Sequence, residues 1–175
     1  ELDRAGEAEP LYLRSLELAR GQDGPPRPEQ LVVLNNLAAY YADEGRYGDA
    51  EPLLRTFLKH LESEHGRQHP YVAFALENLA DVRWRLGDPD EGEELFAQAE
   101  QILVDVLGAE HPEVAYCLRL RADRLVDAGR PDEAEQDYRR ALAIQRATLP
   151  ADHPELRTTV AGLEGLKLRR IRQER

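Results

Sequence analysis

Leu31–Leu61, LVVLNNLAAYYADEGRYGDAEPLLRTFLKHL, is the stretch whose reading decides the fold, because its landmarks return every 42 residues along the chain. His69-Pro70, His111-Pro112 and His153-Pro154 form one series, with Pro28 as an earlier, partial member. Gly45, Gly87 and Gly129 form a second, and Ala8, Ala50, Gly92 and Ala134 a third. Tyr12, Leu54, Phe96 and Tyr138 each follow the third series by four residues, one helical turn along the same face. Four series in constant phase identify stacked supersecondary units.

The pattern inside one unit says what is stacked. Leu31, Leu34, Leu37, Ala38 and Tyr41 fall at the spacing of an amphipathic helix. Gly45 follows its last turn, where a residue that tolerates positive φ ends a helix at low steric cost. Tyr47, Ala50, Leu53, Leu54, Phe57, Leu58 and Leu61 mark a second helix. Pro52 is tolerated only in a first turn, which predicts a start close to Asp49. The short turn between them makes each unit an antiparallel helical hairpin.

Taken in order, the chain opens in mid-repeat. Ala8-Glu9-Pro10-Leu11 matches Ala50-Glu51-Pro52-Leu53, so Glu1 to about Arg20 reads as a second-type helix whose Leu11, Leu13 and Leu16 lack their usual cover. With no methionine in the sequence, the chain reads as a piece of a longer one or a processed product. The half repeat and its stiff connector occupy 1–27, the repeats 28–69, 70–111 and 112–153, and a capping helix 154–175. His-Pro starts each new helix, with proline preorganised at the first position and histidine at the cap. In the last helix Val160, Leu163, Leu166 and Leu168 are expected on the buried side. Gly162 and Gly165 weaken it by roughly 1 kcal/mol each, and its basic tail suits a helix C-terminus.

Composition limits the partners. A net charge of −11 argues against nucleic acid and anionic membrane. No apolar run approaches the roughly 20 residues that span a bilayer, and without a signal segment the expected compartment is the cytoplasm. Abundant alanine and arginine in preference to lysine fit a bacterial source. The single cysteine, Cys117, reads as a buried packing thiol. His60, His65 and His69 share no consistent helical face, and equivalent histidines in stacked repeats stand roughly 10 Å apart, too far for one metal ion. No phosphate loop, GxSxG elbow or HExxH occurs. The expectation is a non-enzymatic chain without metal or cofactor.

LNNLAAYYADEGRYGDAEPLLRTFL resembles a tetratricopeptide repeat, in the 42-residue variety of kinesin light chains. Leu-Asn-Asn-Leu-Ala, Gly-Arg-Tyr, Ala-Glu-Pro-Leu and the Gly-x-x-His-Pro joint all match that pattern. The third repeat departs from it, with Arg119-Leu120-Arg121-Ala122 in place of Asn35-Asn36-Leu37-Ala38. The resemblance implies an all-α, right-handed superhelical solenoid whose first-type helices line a concave groove for an extended peptide or partner helix. It places Asn36 and Asn78 against the bound backbone, with Leu120 as the non-amide equivalent.

Helical spacing adds neighbours on that side: Val32, Asn35, Ala39 and Asp43; Phe74, Glu77, Asp81 and Arg85; Tyr116, Arg119, Asp123 and Asp127. Trp84, the only tryptophan, joins them. Phe74, Tyr116 and Trp84 either anchor a ligand's apolar side chains or pack between repeats. Arg85 and Arg119 either pair a ligand carboxylate or stand as solvated charges. The candidate peptide-binding set is therefore Asn35, Asn36, Phe74, Glu77, Asn78, Asp81, Trp84, Arg85, Tyr116, Arg119 and Asp123. The functional expectation is a scaffold for a protein or peptide partner. The alternative is a structural spacer or self-association arm, forming a homodimer through the N-terminal half repeat.

Overall fold

Proline at the first turn and glycine past the last divide the chain into helices. The computed structural model describes residues 9–14 and 28–173. Leu16, the connector before Pro28 and the side chains of the terminal basic tail beyond Arg169 lie outside the described residues. Residues 9–14 are helical. They are followed by α1 (Pro28–Asp43), α2 (Tyr47–His65), α3 (Pro70–Arg85), α4 (Pro89–Leu107), α5 (Pro112–Asp127), α6 (Pro131–Thr148) and α7 (Pro154–Gln173). No strand occurs among the described residues. The chain divides into two compact units, Glu1–Gly92 and Glu93–Arg175. In the first, α2 packs on α1 and α3; in the second, α6 packs on α5 and α7.

The turns follow from backbone chemistry. After α1, Gly45 takes φ 73°. This lets Gly45 N–H reach the Ala42 carbonyl at 3.0 Å and Arg46 N–H reach that of Tyr41 at 2.7 Å, which satisfies carbonyls that the helix end would otherwise orphan. The same pair of bonds recurs after α3 and α5. At the opposite joints the histidines act as side-chain caps. Nδ1 of His69 accepts from Tyr71 N–H at 3.2 Å, that of His111 from Glu113 at 3.2 Å, and that of His153 from Glu155 at 3.3 Å.

Pro52 departs from expectation. Helix α2 starts at Tyr47, two residues before Asp49, so Pro52 lies beyond the first turn. The missing N–H would have served the carbonyl of Gly48, an exposed residue. The Pro52 carbonyl in turn accepts from Thr56 Oγ1 at 2.8 Å.

Small residues set the packing distance within each hairpin. In the first unit Leu37, Ala38, Ala50, Leu54, Leu79 and Ala80 are buried; in the second, Val114, Leu118, Ala122, Ala134, Tyr138 and Ala141. Cys117 is buried among them, its Sγ 3.8 Å from the Phe96 carbonyl. Two glycines occupy places where an added methyl group would press on its neighbours. A Cβ at Gly92 would stand 3.0 Å from Trp84 Cε3 and 3.1 Å from the Ala80 carbonyl oxygen. The corresponding pair is Ala42 with Ala50 in the first repeat and Val126 with Ala134 in the third, so Trp84 and Gly92 form a large-for-small exchange. A Cβ at Gly162 would stand 2.7 Å from Tyr138 Cζ.

In α7, Leu166 is buried at 3% exposure, but Leu168 is 59% exposed, contrary to the expected buried side. Leu168 holds the register position of Trp84, which is covered by the second helix of its own hairpin; among the described residues none follows α7.

Repeats are also tied by charge. Glu9 accepts from Tyr41 OH at 2.9 Å and from Arg46 Nη1 at 2.9 Å. One repeat later Arg83 stands where Tyr41 stood and reaches Glu51 at 3.1 Å, while Asp88 stands at the position of Arg46 and accepts from Arg83. In the second unit Arg130 holds the Arg46 position and pairs with Glu93 and Glu133. Arg46, then Tyr41, holds the Glu9 carboxyl below its ordinary range. The Glu91 backbone N–H, then Arg83, does so for Asp88.

Candidate functional site

Because every hairpin reverses direction, α1 and α3 run parallel, and the sequence places matching side chains side by side. On α1 the outward stripe is Val32, Asn36, Ala39 and Asp43, all exposed. On α3 the same register carries Phe74, Asn78, Asp81 and Arg85. Phe74 and Arg85 are exposed, and Asn78 and Asp81 half-buried.

The two helices meet through their amides: Asn78 Nδ2 donates to Asn35 Oδ1 at 3.2 Å. Val32 is 60% exposed, Tyr71 59% and Phe74 42%. Phe74 sets its edge against Phe57, with centroids 6.5 Å apart and planes at 89°, a favourable aromatic geometry. At the other edge the Arg85 guanidinium lies 6.0 Å over the Tyr47 ring.

The face is banded across the helix axes. Apolar side chains (Val32, Tyr71, Phe74) lie near the helix N-termini, amides (Asn35, Asn36, Asn78) in the middle, and charges (Asp43, Asp81, Arg85) near the C-termini. Glu77, expected on this face, is buried at 3% exposure, and Trp84 at 9% packs against Gly92. Both lie toward the side of α3 rather than on its outward stripe, an offset of less than a quarter turn that spacing alone does not resolve. Tyr71 escaped the sequence reading. It precedes Phe74 by one helical turn, and the i, i+3 spacing was the available signal.

In the second unit the corresponding positions are occupied differently. Tyr116, Leu120 and Asp123 are half-buried and Asp127 exposed. Arg119 is buried at 8% exposure. It donates to Asp123 at 2.9 Å and Glu155 at 3.2 Å, and lies 5.0 Å over the Tyr116 ring. Tyr138 OH also donates to Asp123, and burial, then this carboxylate, pushes the phenol pKa up. The guanidinium is thus engaged within the protein on three sides. It is neither a solvated charge nor poised for a ligand carboxylate.

Two other features gather titratable side chains. His65 and His69 stack at the α2–α3 joint with centroids 4.6 Å apart, and Tyr71 closes against both. His60 Nε2 lies 3.3 Å from Glu64. No group of three or more His, Cys, Asp or Glu with metal-holding geometry occurs among the described residues. In the second unit a cleft of about 430 Å³ is lined by Glu93, Glu94 and Ala97 of α4, Arg121 and Leu125 of α5, and Glu133, Gln136 and Asp137 of α6. Its single guanidinium, Arg121, is clamped by Asp137 at 2.7 and 2.8 Å and by Glu100 at 2.9 Å. No helix among the described residues is long and apolar enough to cross a membrane.

Known proteins share this architecture. The tetratricopeptide repeat profile matches residues 1–63, 30–103 and 71–147. The crystal structure of BtubC (BKLC) from P. vanneervenii is similar, with a TM-score of 0.76 and 22% identity over 93% of this chain. The chain spans 65% of that protein's length. A putative kinesin light chain from Podospora anserina with nearly identical TPR-like repeats, in a form carrying one substitution, also gives a TM-score of 0.76, at 24% identity over 97% of this chain and 81% of that one. The structure without that substitution gives 0.74 at the same identity and coverage. No functionally curated protein matches the sequence. The fold is an all-α solenoid of helical hairpins, of the kinesin-light-chain-like variety.

Proposed function

We propose that the chain captures an extended peptide segment of a protein partner, and the premise is that it belongs to the tetratricopeptide repeat family. That family is generally a protein–protein interaction scaffold and typically non-enzymatic. The observation that carries the finer reading is the Asn78–Asn35 hydrogen bond at 3.2 Å on an exposed face. Once one donor and one acceptor satisfy each other, Asn78 Oδ1 and the Asn35 amide hydrogens remain for a ligand. They match the N–H and C=O of a peptide backbone whatever its side chains. Exposed Asn36 adds a further amide, and Val32 and Phe74 supply apolar contact beside it.

The decisive experiment is a peptide-array screen followed by titration of the best binders against Asn35→Ala, Asn36→Ala and Asn78→Ala. Loss of one ligand hydrogen bond is worth about 0.5–1.5 kcal/mol, so each variant weakens binding roughly twofold to tenfold while its helicity is unchanged. Binding indifferent to all three substitutions refutes the reading.

A second reading, self-association through the first helix, is favoured by the exposure of Leu11 (69%) and Leu13 (42%). Leu95, at the register position of Leu11, is 8% exposed. Light scattering over a concentration series, with Leu11→Glu and Leu13→Glu together, tests it. A dimer abolished by the substitutions supports this reading, and a monomer at every concentration removes it.

A further inference from the structure

We propose that α7 is a releasable cover on the second unit: it opens as one piece while α5 and α6 stay folded, and in its closed form it holds Arg119 through Glu155. This concerns a different unit from the peptide-capture face and stands independently of it.

The α6–α7 joint departs from the chain's own repeat. Gln145 of α6 is 2% exposed, yet it holds the register position of buried Leu61 and Leu103. Its Oε1 has no hydrogen-bond partner among the described residues. A buried amide oxygen left unsatisfied costs its desolvation with no bond in return, whereas leucine at the same place contributes apolar burial. Gln145 stands seven residues, two helical turns, beyond Tyr138 on the same stripe of α6. Tyr138 is the side chain against which Gly162 of α7 lies.

The facing helix is weakened in the same sense. Thr159 is fully buried where α3 and α5 carry Ala75 and Cys117. Its hydroxyl turns back to the Glu155 carbonyl at 3.1 Å, and that of Thr158 to the Pro154 carbonyl at 3.1 Å; such bonds slightly destabilise a helix and bend it. Gly162 has a packing reason in the Tyr138 ring, but a Cβ at Gly165 would meet no heavy atom within 4 Å. Gly165 therefore gives up helix propensity with no packing gain.

Closed, α7 brings a Glu155 carboxylate oxygen to 3.2 Å from Arg119 Nε. Opening withdraws that carboxylate and uncovers Tyr138 and Gln145, leaving Arg119 with Asp123 and the Tyr116 ring. The Gln145 amide meets water in the open form. The residue that weakens the closed state is thus satisfied in the open one, which lowers the free energy of this local opening below that of the unit as a whole.

The test is native-state hydrogen exchange of the full chain, read amide by amide by NMR over urea concentrations below the unfolding transition. Amides from Thr158 to Leu168 should exchange together, at least roughly tenfold faster than the buried amides of α5 and α6 and with a weaker urea dependence, because the opening exposes less surface. Gln145→Leu should slow exchange throughout α7 by about tenfold, through loss of the unsatisfied amide. Glu155→Gln should speed it severalfold.

Equal rates and equal urea dependence in α5, α6 and α7 overturn the inference, since the unit then opens as a whole. A gradient that rises only toward the C-terminal end of α7, with Thr158 to Val160 protected like α6, also overturns it, because ordinary fraying then accounts for the data. So does exchange in α7 that is indifferent to Gln145→Leu or to Glu155→Gln. Should either variant fail to fold, the urea series on the unaltered chain decides between the outcomes.

Discussion

Replacing Gly92 by alanine should destabilise the protein, although alanine is the better helix former. Gly92 lies in α4, where the exchange alone is worth about 0.8–1.0 kcal/mol in favour of alanine. The added Cβ, however, would stand 3.0 Å from Trp84 Cε3 and 3.1 Å from the Ala80 carbonyl oxygen. Trp84 is buried at 9% exposure and cannot swing into solvent without losing its packing. Overpacking of this kind costs about 1–3 kcal/mol, so the net effect of Gly92→Ala is a loss of up to about 2 kcal/mol. Trp84→Ala alone removes a large buried side chain and costs about 3–5 kcal/mol. In that background Gly92→Ala meets only the carbonyl and recovers part of its helix propensity, reproducing the Ala42 and Ala50 pair of the first repeat. The sign of the Gly92→Ala effect thus depends on residue 84, with a coupling equal to the Trp84 share of the overpacking cost of about 1–3 kcal/mol. Urea unfolding of the four proteins, followed by circular dichroism at 222 nm, measures the cycle. Additivity within about 0.3–0.5 kcal/mol, or stabilisation by Gly92→Ala in the wild-type background, would refute the compensation argument.

Gly162→Ala is expected to lower the midpoint of thermal unfolding, because its Cβ would sit 2.7 Å from the Tyr138 ring; Gly165→Ala, with no heavy atom within 4 Å, should raise it by the ordinary helix gain of about 1 kcal/mol. His111→Ala removes the acceptor for Glu113 N–H and should cost about 0.5–2 kcal/mol, most of it restored by His111→Asn; equal unfolding midpoints for the two variants would exclude a capping role. Glu9, Glu133 and Asp88 are held below their ordinary values, in Glu9 and Glu133 first by arginine hydrogen bonds and in Asp88 first by the Glu91 N–H. Depressed carboxyls contribute stability that is present above the unfolded pKa and lost as pH falls through the folded one. Helicity should therefore decline as pH falls from about 5 toward 2, and Arg46→Ala with Arg130→Ala should flatten that decline at the expense of stability at neutral pH. An unchanged acid profile would mean that these pairs add nothing.

The hairpins, their order and their ends were legible in the sequence because they rest on local chemistry. Apolar spacing defines a helix, Gly45 or Gly129 can take the positive φ that ends one, and His-Pro starts the next. Each is decided within a few residues, and a constant period repeats the decision three times. The start of the helix that holds Pro52 was misplaced by two residues, because the cost of a missing N–H depends on whether the stranded carbonyl meets water and not on the local pattern alone. What tertiary structure decided lies between repeats. The same register position holds Ala42, Trp84, Val126 and Leu168, and only the partner shows that Trp84 is buried over Gly92 and Leu168 is exposed. Arg119 looked like a solvated charge until Glu155, 36 residues on, came within 3.2 Å. Asn35 and Asn78 looked like separate ligand contacts until packing joined them. Helical period fixes the angle of a side chain about its own axis, but burial, pairing and the surface left for a partner depend on the neighbouring helix, which no local pattern contains.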